Sequence, residues 1–165
     1  GLPPHLSANM GLALAACRFC GLDEGLCLEA MKKLPPDFAD FRVLGVGGGE
    51  LAFAFSANDV VTTEELFRST GWYREETGVL FNHRSDRVDR FRCFEGWMRG
   101  HPWREVLIIG DRPPRARLRC DFWRGGDVNA LARRLDGARW LGCGNTVYGL
   151  PLTLKLTAEE GGLHL

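Results

Sequence analysis

From Phe41 onward the chain alternates short apolar runs with stretches of helical periodicity. FRVLGV (41–46), ELAFAFSA (50–57), TGVLFN (77–82), REVLIIG (104–110) and ARWLGCGN (138–145) read as strands. TTEELFRSTG (62–71), DRVDRFRCFEGWMRG (86–100) and DVNALARRLDG (127–137) read as helices, with Thr62 or Thr63 and Asp127 as N-caps and Gly137 as a stop. ARLRCDFW (116–123) alternates weakly and is a further strand candidate, and VYGLPLTLKLTAEEGG (147–162) reads as a final helix interrupted at Pro151. Strand–helix alternation of this kind predicts an α/β domain: a mostly parallel, Rossmann-like sheet with helices on both faces. The unbroken Leu107-Ile108-Ile109 fits a central strand buried on both sides.

Before Phe41 the pattern is different. A helix is expected from about Ala8 to Phe19, closed by Gly21, and a second, capped by Asp23, runs through DEGLCLEAMKKL (23–34). Pro35-Pro36 end it and open a linker, so the boundary is drawn as a helical hairpin over 1–36 followed by an α/β domain over 37–165.

Bulk properties exclude some classes. Lys+Arg and Asp+Glu are both 21, which lacks the basic footprint of a nucleic-acid binder. No apolar run reaches a membrane span, and GLPPHLSANM (1–10) lacks the charged and apolar regions of a signal peptide. Cys17 and Cys20 form a C-x-x-C, but on a helix and without a second ligand pair to complete a tetrahedral site. The six cysteines are read as buried, reduced thiols acting as small apolar residues, which implies a cytosolic compartment.

In parallel sheets ligands bind beyond the carboxyl ends of the strands. Four polar or glycine-rich segments follow strands: SANDVVTT (56–63), NHRSDRVDR (82–90), GDRPPR (110–115) and GCGNTVYG (142–149). In NHRSDRVDR, Ser85 or Asp86 could cap the helix and Asp86 could pair with Arg90 at i, i+4. That leaves Arg87 unexplained, because a cation near a helix start opposes the macrodipole. The other reading has arginines gripping an anion while the aspartates hold them in place. The residues alone leave both open. Asn58 and Asp59 suit a turn, or contact with a ribose or an amino group. GVGGGE (45–50) reads as a hairpin turn, since it leads into a strand and has no Gly-Lys-Ser/Thr ending. The glycines of GCGNTVYG let backbone approach a ligand at a helix start. Of the histidines, only His83 lies in one of these segments; His5, His101 and His164 are scattered, and no nucleophile–base pattern stands out.

Taken in order, NMGLALAACRFCGLDEGLCLEAM (9–31), AFSANDVVTTEEL (54–66), GVLFNHRSDRVDRF (78–91) and LGCGNTVYGLPL (141–152) resemble the C-terminal part of the poly-γ-glutamate synthase ligase subunit (PgsB/CapB) family, related to the Mur ligases. The resemblance spans nearly the whole chain. Its most specific piece is Asn82 followed by Asp86-Arg87-Val88-Asp89-Arg90, with His83 where the family has cysteine. The family's Ala-Asn-Asp matches Ala57, Asn58 and Asp59, although Phe53 stands where the family often has asparagine, and its Gly-x-Gly-Asn matches Gly142, Gly144 and Asn145.

The resemblance implies an ATP- and Mg-dependent ligase that turns a carboxylate into an acyl phosphate, which the amine of an incoming glutamate attacks to give a γ-amide. Arg84, Arg87 and Arg90 are then expected as anion contacts oriented by Asp86 and Asp89. Asn58, Asp59, Asn82, Gly142, Gly144 and Asn145 are expected near nucleotide or substrate, and no catalytic or metal-ligating residue is assigned. The hairpin is expected to be the tail of a missing ATPase domain, because the Walker A lysine motif is absent. The chain by itself is then expected to be inactive. Implied partners are glutamate or a poly-γ-glutamate chain, the rest of the ligase or a separate ATPase chain, and small membrane subunits holding it at the inner face of the membrane. The competing expectation is a non-catalytic binding or assembly module on the same scaffold.

Overall fold

The computed structural model describes residues 4–34, 40–113, 115–147 and 149–159. Pro35, Pro36 and His164 lie outside them. The chain forms two compact units, Gly1–Phe38 and Ala39–Leu165.

In the first unit α1 (Pro4–Phe19) and α2 (Glu24–Lys32) form the hairpin. Gly21 turns the chain at φ +75°, a left-handed conformation that glycine adopts without strain. Asp23 caps α2, its carboxylate accepting from Leu26 N at 2.8 Å. The thiols here are not buried as expected. Cys20 is exposed, and Cys17 and Cys27 are half-buried. A two-helix unit has no second layer to cover them. The Cys17 thiol beside it raises the Cys27 pKa, with burial adding in the same direction.

In the second unit β1 (Arg42–Val46) and β2 (Gly49–Phe53) form an antiparallel hairpin turned at Gly47-Gly48, where Gly47 has φ +60° and Gly48 N donates to the Asp136 carboxylate. The chain then runs through α3 (Val60–Ser69), β3 (Thr77–His83), α4 (Val88–Arg99), β4 (Glu105–Gly110), β5 (Asp121–Phe122), α5 (Val128–Leu135), β6 (Arg139–Cys143) and α6 (Leu150–Glu159). The sheet order is β1-β2-β6-β3-β4-β5, and every pairing except β1–β2 is parallel.

Strand alternation divides the core between two faces. Val79, Phe81, Val106 and Ile108 join Leu66 and Phe67 of α3 and Phe91, Phe94 and Met98 of α4 on one side. Leu80, Leu107, Ile109 and Trp140 join Leu131 and Leu135 of α5 and Leu154 of α6 on the other.

Local details differ from the sequence expectations. Asp59, not Thr62 or Thr63, caps α3, accepting from Thr62 N and Thr62 Oγ1 at 2.9 Å each. An ionised carboxylate three residues ahead of the amide outcompetes a hydroxyl already inside the first turn. Pro151 does not interrupt α6. It lies in the first turn, where a missing N–H costs no helical bond, and Gly149 at φ +74° sets the entry. The weakly alternating 116–123 segment contributes only two strand residues. Among the other thiols Cys143 is buried, and burial pushes its pKa far up, whereas Cys93 is exposed.

Candidate functional site

The two strands at the centre of the sheet send the chain to opposite faces. After β3 it enters α4 on one side, and after β6 it enters α6 on the other. Adjacent parallel strands that diverge in this way open a crevice at their carboxyl ends. Two asparagines brace that crevice. Asn82, 1% exposed, donates through Nδ2 to Asn145 O (2.9 Å), Asn145 Oδ1 (3.1 Å) and Val147 O (2.7 Å). Asn145 Nδ2 donates back to Asn82 O at 2.7 Å, and Asn145 Oδ1 accepts from Val147 N at 2.9 Å. Asn82 Oδ1 is buried without a hydrogen-bond partner among the described residues.

The two glycines beside them are places of close approach. Gly144 has φ +105°, and a Cβ there would stand 2.6 Å from Asn82 O. A Cβ on Gly142 would overlap the Phe55 ring. Both therefore permit packing within the fold.

The β3 exit carries the charges. Arg84 meets Asp86 through two bonds, Nε to Oδ1 at 2.9 Å and Nη2 to Oδ2 at 2.6 Å. This two-point contact fixes the plane of the guanidinium. Arg87, its side chain 55% exposed, has Nε 3.9 Å from the same carboxylate. The hydrogen bond from Arg84 holds the Asp86 pKa below the usual carboxylate value. Neither Ser85 nor Asp86 caps α4, and Asp86 does not pair with Arg90. Arg87 itself occupies the N-cap position and makes no side-chain cap bond. Asp23, Asp59 and Asp127, by contrast, all cap their helices. The first turn of α4 thus presents backbone N–H groups and the positive end of the helix dipole beside two guanidiniums.

Asp111 joins the group from β4. Its Oδ2 accepts from Ser85 N at 2.7 Å, its N donates to His83 O at 3.0 Å, and its carbonyl lies 2.8 Å from His83 Nδ1. His83 is 1% exposed and packs edge-on against Phe91 at 4.7 Å. Asp111 lies in GDRPPR, one of the four strand-exit segments, but is not among the site residues expected from the sequence.

The remaining expected residues stand apart or differ in setting. Arg90 Nη1 donates to Gly144 O at 3.4 Å, linking α4 to the β6 exit. Asp89 is 97% exposed and lies 3.6 Å from Arg92. Asn58 is exposed, Asp59 is engaged in its cap, and no hydrogen bond among the described residues ties either to the β3 exit.

Among the described residues no group of three or more His, Cys, Asp and Glu is placed to hold a metal, and no helix is long and apolar enough to cross a membrane.

Residues 43–159 match the family model described as the poly-gamma-glutamate synthase CapB C-terminal domain. Among solved structures, the chain is similar to a folylpolyglutamate synthase from Thermotoga maritima, with a TM-score of 0.52 and 18% identity. That match covers 99% of this chain and 41% of the other, so the chain spans less than half of that protein. Identity at this level carries the fold alone. No curated protein matches the chain.

Proposed function

We propose, from the premise that the chain belongs to the poly-gamma-glutamate synthase CapB C-terminal domain family, that it is the C-terminal part of an ATP-dependent amide ligase and orients the amine-donor amino acid for γ-glutamyl bond formation. The observation that carries this reading is the uncapped start of α4 beside Arg84 and Arg87, at the switch point of a parallel sheet. Backbone N–H groups and the helix dipole there favour a carboxylate, and Arg87 supplies a charged donor at the rim. Asp86 orients Arg84, and Asp111 fixes Ser85, so the loop is set before a ligand arrives. That limits the ordering cost of binding.

ATP supplies the phosphoryl group that makes the acceptor carboxylate an acyl phosphate. The chain has no Gly-Lys-Ser/Thr phosphate loop, so the nucleotide's phosphates and magnesium are assigned to the rest of the ligase or to a separate ATPase chain. The contribution of this chain is to hold the donor's carboxylate while the amine attacks. Glutamate as the donor, a poly-γ-glutamate chain as the acceptor, and placement at the inner face of the membrane through small partner subunits complete the reading.

The test is steady-state kinetics of the complete ligase carrying Arg87→Ala. Loss of a charge-assisted contact is expected to raise KM for the amine donor about tenfold or more while KM for ATP stays within about twofold. An unchanged donor KM would refute the assignment.

A further inference from the structure

Beside α4 the molecule has a second charged feature. Two cavities of about 740 and 650 Å³ lie between α4 and the segment around Arg115–Cys120, and both have Arg99 and Arg117 in their walls. The larger reaches His83 at the end of β3, and the smaller reaches Trp103 and Glu105 at the start of β4. Joined at those two arginines, they make a trench about as long as α4, roughly 18 Å for its twelve residues.

Arginines line this trench from both sides. Arg92 and Arg99, two turns apart, come from α4, while Arg115, Arg117 and Arg119 come at intervals of two from the opposite wall. Alternate residues stand at most about 7 Å apart along a chain. Arg92 has Asp89 at 3.6 Å. The carboxylate of Glu95 is occupied by the backbone N–H of Arg117. Among the described residues no carboxylate, carbonyl or ring partners the guanidiniums of Arg99, Arg115, Arg117 and Arg119, and all four residues are exposed. Four unneutralised like charges repel one another, and this occurs on a chain whose 21 basic and 21 acidic residues otherwise balance. Regularly spaced anions on a flexible strand would relieve that repulsion.

The geometry points to this trench as a binding track for a linear polycarboxylate, with one carboxylate per repeat laid along α4. The chemistry of that polymer rests on the ligase reading above; the trench itself does not. A single-stranded nucleic acid fits less well. It needs open aromatic platforms, whereas Trp103 packs its ring against Phe67 at 4.8 Å and Trp97 at 5.0 Å. The carboxylates of Glu105 and Asp121 in the smaller cavity are met by Arg104 and Arg134 rather than left bare. A track of weak, repeated arginine contacts would hold a growing product near the strand exits and still let it slide, since each exposed ion pair contributes little alone.

The experiment measures fluorescence anisotropy of labelled γ-linked glutamate oligomers of increasing length on the intact chain, without nucleotide. Affinity is expected to rise with oligomer length and fall with salt. Arg115→Ser/Arg117→Ser/Arg119→Ser is expected to weaken binding of the longest oligomer about tenfold or more. Neutralising three cations elsewhere (Arg18→Ser/Lys32→Ser/Lys33→Ser) should change it by less than about twofold on the same scale. Urea unfolding of both variants verifies that they remain folded, and Arg99→Ser is the second probe if the triple variant does not. Binding that is independent of length, equal losses in the two triple variants, or RNA of matched charge binding as tightly would each overturn the inference. A ligase that shows the Arg87→Ala effect on donor KM while the chain binds no polymer would discard the trench and keep the ligase reading. Polymer binding without that KM effect would do the reverse.

Discussion

Replacing Asn82 by alanine tests whether the crevice between β3 and β6 is held shut by its own side chains. The substitution deletes three donated hydrogen bonds, to Asn145 O, Asn145 Oδ1 and Val147 O. Each intramolecular bond contributes about 0.5–1.5 kcal/mol net, and a buried acceptor left bare costs about 1–3 kcal/mol. Relaxation and water entry recover part of this, so Asn82→Ala is expected to destabilise the α/β unit by about 2–4 kcal/mol. Asn145→Ala removes the return bond to Asn82 O and the contact to Val147 N, with a loss of similar size. Because the two side chains share bonds, the double variant should fall short of the sum of the singles by about 1–2 kcal/mol. Urea unfolding followed by tryptophan fluorescence is a suitable assay, since all five tryptophans lie in the Ala39–Leu165 unit and the hairpin is silent. The midpoint should fall with the slope unchanged. For a unit of this size the corresponding loss in Tm is about 2–4 °C per kcal/mol. A single variant within about 0.5 kcal/mol of the wild type, or strict additivity in the cycle, would refute the brace and return both amides to the pool of groups available to a ligand.

Two further perturbations probe the packing around the site. Gly142→Ala drives a methyl group into the Phe55 ring and is expected to cost about 1–3 kcal/mol, partly recovered in a Phe55→Leu background; a neutral effect in the same unfolding assay would show that the glycine is not required for packing. For Glu64, burial pushes the pKa up, but hydrogen bonds from Arg74, Trp97 and Arg68 outweigh it and leave the carboxyl below its usual value. A depressed folded-state pKa contributes stability that is present above the unfolded value and lost as pH falls through the folded one. Glu64→Gln is therefore expected to cost about 1.5–3 kcal/mol at neutral pH, with the difference from wild type shrinking in acid; a pH-independent difference would contradict the assignment.

Much of the fold could be read from the residues in order. Apolar runs at strand length, helical periodicity and aspartates at helix starts gave the sheet, its mostly parallel character and the hairpin before it. What failed was the choice among neighbouring candidates. Thr62, Thr63 and Asp59 all suit a cap, and the carboxylate wins because it meets the first-turn amide while the threonines are already helical. Pro151 reads as a breaker until its place in the first turn is known. The cysteines of the hairpin look apolar, but two helices alone cannot bury them.

The residues also marked the polar strand exits as the place to look, by the alternation that makes a parallel sheet and by the likeness of NHRSDRVDR and GCGN to a ligase family. Only tertiary structure decided what each exit does. Asp86 has arginines on both sides in the sequence, and in the folded chain it takes Arg84 in a two-point contact and leaves Arg90 to reach Gly144 O. Asn82 and Asn145 are 63 residues apart, and their bonds exist because β6 inserts between β2 and β3. Asp111 meets Ser85 for the parallel reason that β3 and β4 end side by side. The trench along α4 has the same origin: its two walls are separate runs of arginine in the sequence, and the packing of 115–119 beside the helix makes them one surface. Periodicity is a local property of a chain and survives in its one-dimensional order, whereas strand order is a choice among long-range pairings that local pattern does not encode.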